Sequence, residues 1–187
     1  SSTGHLILVE EFVNLKVSQS FMDMFNVLVQ LGSIMAVVVI YFHRLNPFSP
    51  KKTQKQKMMT IQLWIKVVIG SIPAGVVGIL FNDFIEEKFN NWFVVAVMLM
   101  VYGVLFLLVE DYNEKRTVKV DSIADISWKM ALYIGIFQVL ALIPGTSRSG
   151  ATIIGGILLG ASRTVAAEYT FFLAIPVMFG ASLLKIV

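Results

Sequence analysis

Apolar residues run along this chain in long blocks separated by short polar segments. Four blocks approach the ~20 residues that carry a helix across a bilayer: residues 25–42, 61–81 with Lys66 as its one charge, 92–109, and 169–184, which contains Pro176. Each predicts a membrane-crossing helix. Two further apolar pieces, 130–143 and 153–161, are too short to cross at ~1.5 Å per residue. They flank Pro144, Gly145, Thr146, Ser147, Arg148, Ser149, Gly150, Ala151 and Thr152, read as PGTSRSGAT. Two short apolar arms joined by a Gly/Ser/Thr/Pro turn predict a re-entrant hairpin over 129–161 with the turn near the bilayer midplane. Irregular backbone at that depth is tolerated only where protein covers it or water reaches it.

The polar segments orient the helices. Residues 43–59 carry Arg44, Lys51, Lys52, Lys55 and Lys57 with no acid, which marks a cytoplasmic loop. Residues 82–91 carry Asp83, Glu86 and Glu87 against Lys88, which suits the outside. Residues 110–129 are mixed and fall inside by alternation. The hairpin then enters from the cytoplasmic side and returns there at Arg163, and 169–184 runs outward.

Composition agrees. Of the 187 residues 57% are hydrophobic and 14% charged, with a mean hydropathy of +0.79. Soluble domains carry about 25% charged residues, so the fold class is an all-α, polytopic membrane protein. There is no cysteine, which excludes disulfides and thiolate metal sites. The net charge of +3 comes from loop lysines without a basic-aromatic stripe, so nucleic acid is not an expected partner. The chain starts at Ser1 and stops at Val187 inside an apolar run, which reads as a fragment.

An internal echo refines the architecture. SSTG (Ser1 to Gly4) has the form of SRSG (Ser147 to Gly150), and a Gly-small pair follows each at similar distance, at Gly32–Ser33 and Gly180–Ala181. The helices that carry these pairs run in opposite directions. That predicts an inverted-topology repeat, with discontinuous helices meeting at a central site. Residues 1–110 are then the remainder of a first repeat and 128–187 the start of a second, within one transmembrane domain.

Arg148 is the chemical focus. A charge at membrane depth is costly and marks function. Arginine grips phosphate bidentately, the hydroxyls of Thr146, Ser147, Ser149 and Thr152 add donors, Gly145 and Gly150 allow close backbone approach, and a helix starting near Ala151 adds its dipole. No P-loop is present. His5, beside Ser2 and Thr3, can serve as general base, general acid or phosphate contact. Glu10 and Glu11 point to different helix faces and read as a solvated end. Gln138 and Gln30 are expected to bond other helices, and Lys66 to snorkel or pair. A lipid-phosphate transporter or flippase would use the same anion-binding cluster, and that alternative stays open.

These motifs together, SSTGH, QLGSIMAVVVIYFHRL, PGTSRSGAT and SRTVAAEYTFFLAIPVMFGAS, resemble the undecaprenyl-diphosphate phosphatases, the bacitracin-resistance proteins, over essentially the whole chain. The resemblance implies a bacterial inner-membrane hydrolase that converts undecaprenyl diphosphate to the monophosphate and inorganic phosphate, with its site open to the outer face. It implies a polyprenyl diphosphate substrate lying among membrane lipids, and it admits a homodimer. It assigns Ser2 as nucleophile or phosphate ligand, His5 as catalytic histidine, Ser147 and Arg148 as the phosphate-binding pair and Thr152 as a further site residue. It leaves open whether Ser2 or water attacks phosphorus. The family also has a Glu-x-x-x-Glu motif before SSTGH, assigned to Mg²⁺ or Ca²⁺, and further C-terminal helices. Neither lies in these 187 residues. The cation is therefore expected of the intact protein, no metal ligand is assigned in this chain, and the chain by itself is expected to be inactive or nearly so.

Overall fold

Capping side chains set where the helices begin. Thr53 and Gln56 cap each other's backbone reciprocally, at 3.3 and 3.0 Å, and open a long helix. The Asn91 side chain accepts from the Val94 amide at 3.0 Å, and Ser127 accepts from that of Met130 at 3.1 Å; each starts the next apolar block as a helix. The computed structural model describes residues 19–89 and 91–186. In chain order its helices are α1 (Gln19–Ile40), the short α2 (Phe42–Leu45), α3 (Gln54–Phe89), α4 (Trp92–Lys115), α5 (Trp128–Val139) with a 3-10 turn over Leu140–Leu142, α6 (Arg148–Leu158) and α7 (Arg163–Ile186). No strand occurs among the described residues beyond an isolated parallel bridge between Val120 and Ala161.

Among the described residues three helices are long and apolar enough to cross a membrane: Gln54–Phe81 within α3, Trp92–Lys115, and Arg163–Leu183 within α7. The expected first span falls in α1, a helix of 22 residues, and Val27–Ile40 is its described apolar part. Pro73 and Pro176 sit inside α3 and α7 without ending them. The fourth expected span starts six residues earlier than predicted, at Arg163.

The hairpin is present, with α5 and α6 as its arms. Its inbound arm packs on α3 through a close helix crossing. A methyl group on Gly135 would lie 2.3 Å from the carbonyl oxygen of Gly70. Small residues are what allow membrane helices to approach so nearly. Tyr169 of α7 closes the same junction, donating its buried hydroxyl to the Lys66 carbonyl at 2.8 Å. The return arm nests Gly155 against the Phe137 ring and Gly156 against Ala166. Thus α5 packs between α3 and α6, α7 packs on both of those helices, and the core cluster includes Ile134, Ile154, Tyr169, Phe172 and Leu173. By contrast α4 buries Val95, Tyr102 and Val109, one residue every second turn, and leaves most of its apolar surface open. That is the surface a lipid-facing helix presents.

The polar ends segregate. At one end Arg44 pairs with Glu168 and Arg163 with Glu110. There the α6–α7 corner is stitched to the segment after α4. Amides of Lys119 and Val120 each donate to the Gly160 carbonyl at 3.0 Å, the Ser162 amide donates to the Val120 carbonyl at 2.8 Å, and Arg116 donates to the Ala161 carbonyl. The hairpin turn points the other way, toward the end where α3 finishes and α4 begins.

Candidate active site

The turn at 143–147 is built around Gly145. Its φ of +87° lies in the region that L side chains avoid, and an added Cβ would sit 2.6 Å from the Val95 Cα. The chain therefore reverses directly against the backbone of α4. The Thr146 amide donates to the Ile143 carbonyl at 3.1 Å and closes the turn.

Val95 is the fourth residue of α4, so the turn lies about one helical turn inside the end of that helix. Twelve α-helical residues and three in the 3-10 turn extend roughly 24 Å, most of a ~30 Å hydrocarbon core. The predicted hairpin, 129–161, omitted Trp128, which Ser127 caps into the helix.

The return helix also begins earlier than expected, at Arg148 and not near Ala151. Ser147 is its cap: the Ser147 Oγ accepts from the Gly150 amide at 3.2 Å, and the Ala151 amide donates to the Ser147 carbonyl at 2.8 Å. The amides of Arg148 and Ser149 occupy the first helical positions, where an α-helix has no internal acceptor for them. The Ser147 and Ser149 hydroxyls lie 3.3 Å apart. An eleven-residue helix thus presents free amides, two adjacent hydroxyls and its positive dipole end at one place.

The Arg148 side chain has no counter-ion among the described residues. Its Nη1 is buried without a hydrogen-bond partner there, and its Nη2 reaches only the Met178 sulfur of α7 at 3.5 Å. The Thr146 hydroxyl is likewise buried and unpartnered. A guanidinium so placed leaves several of its five donors unused, beside the anion-favouring end of a helix.

Thr152 has a different position from the other motif residues. It is fully buried, donates to the Arg148 and Ser149 carbonyls at 3.0 and 3.1 Å, and accepts from the Thr170 hydroxyl at 2.9 Å. Its hydroxyl ties α6 to α7 and holds the register of the helix that carries Arg148. Gly150 lies in the first turn of α6, where a Cβ would touch the Phe106 ring at 3.0 Å. It lets α6 seat on α4 and does not form the turn. The sequence singled out neither Thr170 nor Met178, which lie on one face of α7 two turns apart. Nothing in the spacing of single residues reveals such a cross-helix pairing. Gln138, expected to bond another helix, is buried with both side-chain polar atoms unpartnered among the described residues. Lys66 does pair, donating to the Ala124 carbonyl at 3.1 Å.

Ser2, Thr3, His5, Glu10 and Glu11 lie outside the described residues. Among the described residues no three His, Asp or Glu side chains come together as metal ligands. The groups around Arg148 are cationic or neutral donors, which do not suit a divalent cation.

The fold and site together define a polytopic α-helical membrane protein whose helical hairpin presents a helix N-terminus beside an arginine without a counter-ion among the described residues. Comparison with known proteins places it more narrowly. The family described as bacitracin resistance protein BacA matches residues 1–187, and the chain belongs to that family. It is 58% identical over 186 residues to a protein of Enterococcus faecalis, 59% identical over 187 residues to one of Streptococcus thermophilus, and 54% identical over 187 residues to one of Desulfitobacterium hafniense. Each of the three is named undecaprenyl-diphosphatase. The alignments take in 100% of this chain and 67%, 65% and 67% of those proteins respectively, so the chain spans about two thirds of the length of the curated relatives it matches.

Proposed function

We propose that the protein hydrolyses undecaprenyl diphosphate to undecaprenyl phosphate and inorganic phosphate, recycling the lipid carrier of cell-wall synthesis. The observation that carries this reading is Arg148: a guanidinium with a buried, unpartnered Nη1 at the amide-bearing end of α6. Family membership and the relatives' names supply the substrate.

The terminal phosphate would sit against Arg148, the Ser147 and Ser149 hydroxyls and the first amides of α6, with the polyprenyl tail along apolar helix surface. The attacking oxygen, from Ser2 or water, forms a bond to the terminal phosphorus as the bond to the bridging oxygen breaks. His5 takes the nucleophile's proton. A phosphoserine, if formed, is cleaved by water in a second step. Arg148 and the amides stabilise charge on the phosphoryl oxygens, the term on which phosphoryl transfer chiefly depends. A divalent cation, Mg²⁺ or Ca²⁺, belongs to the proposal as a requirement of the intact protein. The described residues would not ligate it, and no step here is written through it.

The site is assigned to the outer face of the bacterial plasma membrane. The strongly basic 43–59 segment and the turn lie at opposite ends, and the positive-inside rule puts the former in the cytoplasm.

The test is phosphate release from undecaprenyl diphosphate by the intact protein in detergent, with Mg²⁺, with Ca²⁺ and with EDTA. Wild type should release phosphate with a cation and lose activity in EDTA. Arg148→Lys, which keeps the charge and loses the fork, should fall by about 10²–10³. Lipid diphosphate binding without phosphate release would overturn hydrolysis in favour of transport.

A further inference from the structure

A cleft of about 300 Å³ opens at the end of the bundle opposite the hairpin turn. Arg44, Lys52, Gln56, Met59, Thr60 and Lys66 line it. Two lysines converge there, and neither has a carboxylate within 4 Å among the described residues. Lys52 donates to the Arg44 carbonyl at 2.9 Å and to the Thr60 hydroxyl at 2.8 Å. The buried Lys66 donates to the Ala124 carbonyl alone and stands 5.7 Å from the centre of the Trp128 ring. An ammonium carries three donors, so both retain N–H groups beyond these bonds; the Asp125 carboxylate acts on Lys66 from beyond ion-pair distance. The carboxylate of Glu168 is already engaged by Arg44. Burial holds the Lys52 ammonium below the ordinary lysine range, with no charge partner to offset it.

From this we infer that the cleft is a binding site for an anionic phosphate group, delivered by the headgroup of a membrane phospholipid. The phosphate takes the remaining N–H groups of Lys52 and Lys66, and Gln56 and Thr60 supply polar rim. The lipid source follows from position. The cleft lies at the start of the crossing segment of α3, Met59 forms part of its wall and is 43% exposed, and Trp128 at its edge is 44% exposed. Acyl chains continue from such a mouth onto apolar helix surface. Basic pockets between helices on the cytoplasmic side are where anionic headgroups bind.

The experiment is native mass spectrometry of the protein released from detergent, titrated with phosphatidylglycerol or with phosphatidylcholine, with inorganic phosphate as competitor. Phosphatidylglycerol should bind at least about tenfold more tightly than phosphatidylcholine, with an advantage that shrinks as salt rises. Lys52→Gln should weaken it by about tenfold. Because Lys52 also holds the Arg44 carbonyl, Gln56→Glu is the second variant: it keeps the oxygen that accepts the Thr53 amide, so the melting temperature should stay at the wild-type value, and it adds a negative charge to the cleft. It should weaken phosphatidylglycerol by a similar factor. Equal binding of the two lipids, or unchanged phosphatidylglycerol binding in Gln56→Glu, overturns the site and leaves the lysines as props for nearby carbonyls. Displacement of the lipid by inorganic phosphate at equal concentration overturns the lipid source.

Discussion

The Gly135–Gly70 crossing supplies the sharpest quantitative test. In Gly135→Ala the new Cβ falls 2.3 Å from the Gly70 carbonyl oxygen, 2.9 Å from its carbon and 3.0 Å from its Cα. All three are backbone atoms of a packed helix, so no side-chain rotation relieves the overlap. Reaching an ordinary contact of about 3.4 Å requires α5 and α3 to separate by roughly 1 Å. Overpacking of this kind costs about 1–3 kcal/mol, and a rigid neighbour puts the expected value at about 2–3 kcal/mol. By soluble-domain scaling that lowers the melting temperature by roughly 4–12 °C. Gly75→Ala in α3 is the control. Nothing lies within 4 Å of its Cβ, and alanine in a helix interior gains about 0.5–1 kcal/mol over glycine. The same chemical change should therefore act with opposite sign five residues further along α3 from Gly70. Reversible unfolding in mixed dodecyl sulfate micelles measures both. If Gly135→Ala unfolds within 0.5 kcal/mol of wild type, the described seating of the hairpin on α3 is wrong.

Three other outcomes follow from the same geometry. Gly145→Ala combines a left-handed φ with overlap on Val95; it should cost at least about 2 kcal/mol, read in the same unfolding assay. Thr152→Val should destabilise by about 1–3 kcal/mol by orphaning the buried Thr170 hydroxyl, and adding Thr170→Val should recover part of that loss; a double variant worse than the sum would contradict the pairing. Ser147→Ala removes the α6 cap and should cost about 1 kcal/mol while also lowering phosphate release.

The all-α membrane class, the α3, α4 and α7 spans and the pairing of two short helices about residues 144–147 were legible because length and hydropathy alone report them. Boundaries were less so. Residues 147–150 are small and polar and read as turn, yet one serine hydroxyl turned toward the Gly150 amide converts them into the first turn of α6. The start of α5 was hidden because Trp128 looks like loop until the Ser127 cap is known. The separation of Thr152 from the outward-facing hydroxyls was not readable at all: it depends on Thr170, eighteen residues away on another helix. The unpartnered cation depends on which side chains are absent from a neighbourhood, and no one-dimensional pattern reports that.

The hairpin's partners also impose an order on how the protein is made. Its inbound arm rests on α3, already synthesised, but its return arm is locked by Ala166 and Thr170 of α7, which leave the ribosome later. Neither arm spans a bilayer, and a turn carrying Arg148 and unpartnered hydroxyls cannot rest in lipid uncovered. The return arm therefore reaches its described seat only once α7 is in place beside it. A chain interrupted before residue 163 would hold its long spans in place and still lack the seat of the element that carries the guanidinium.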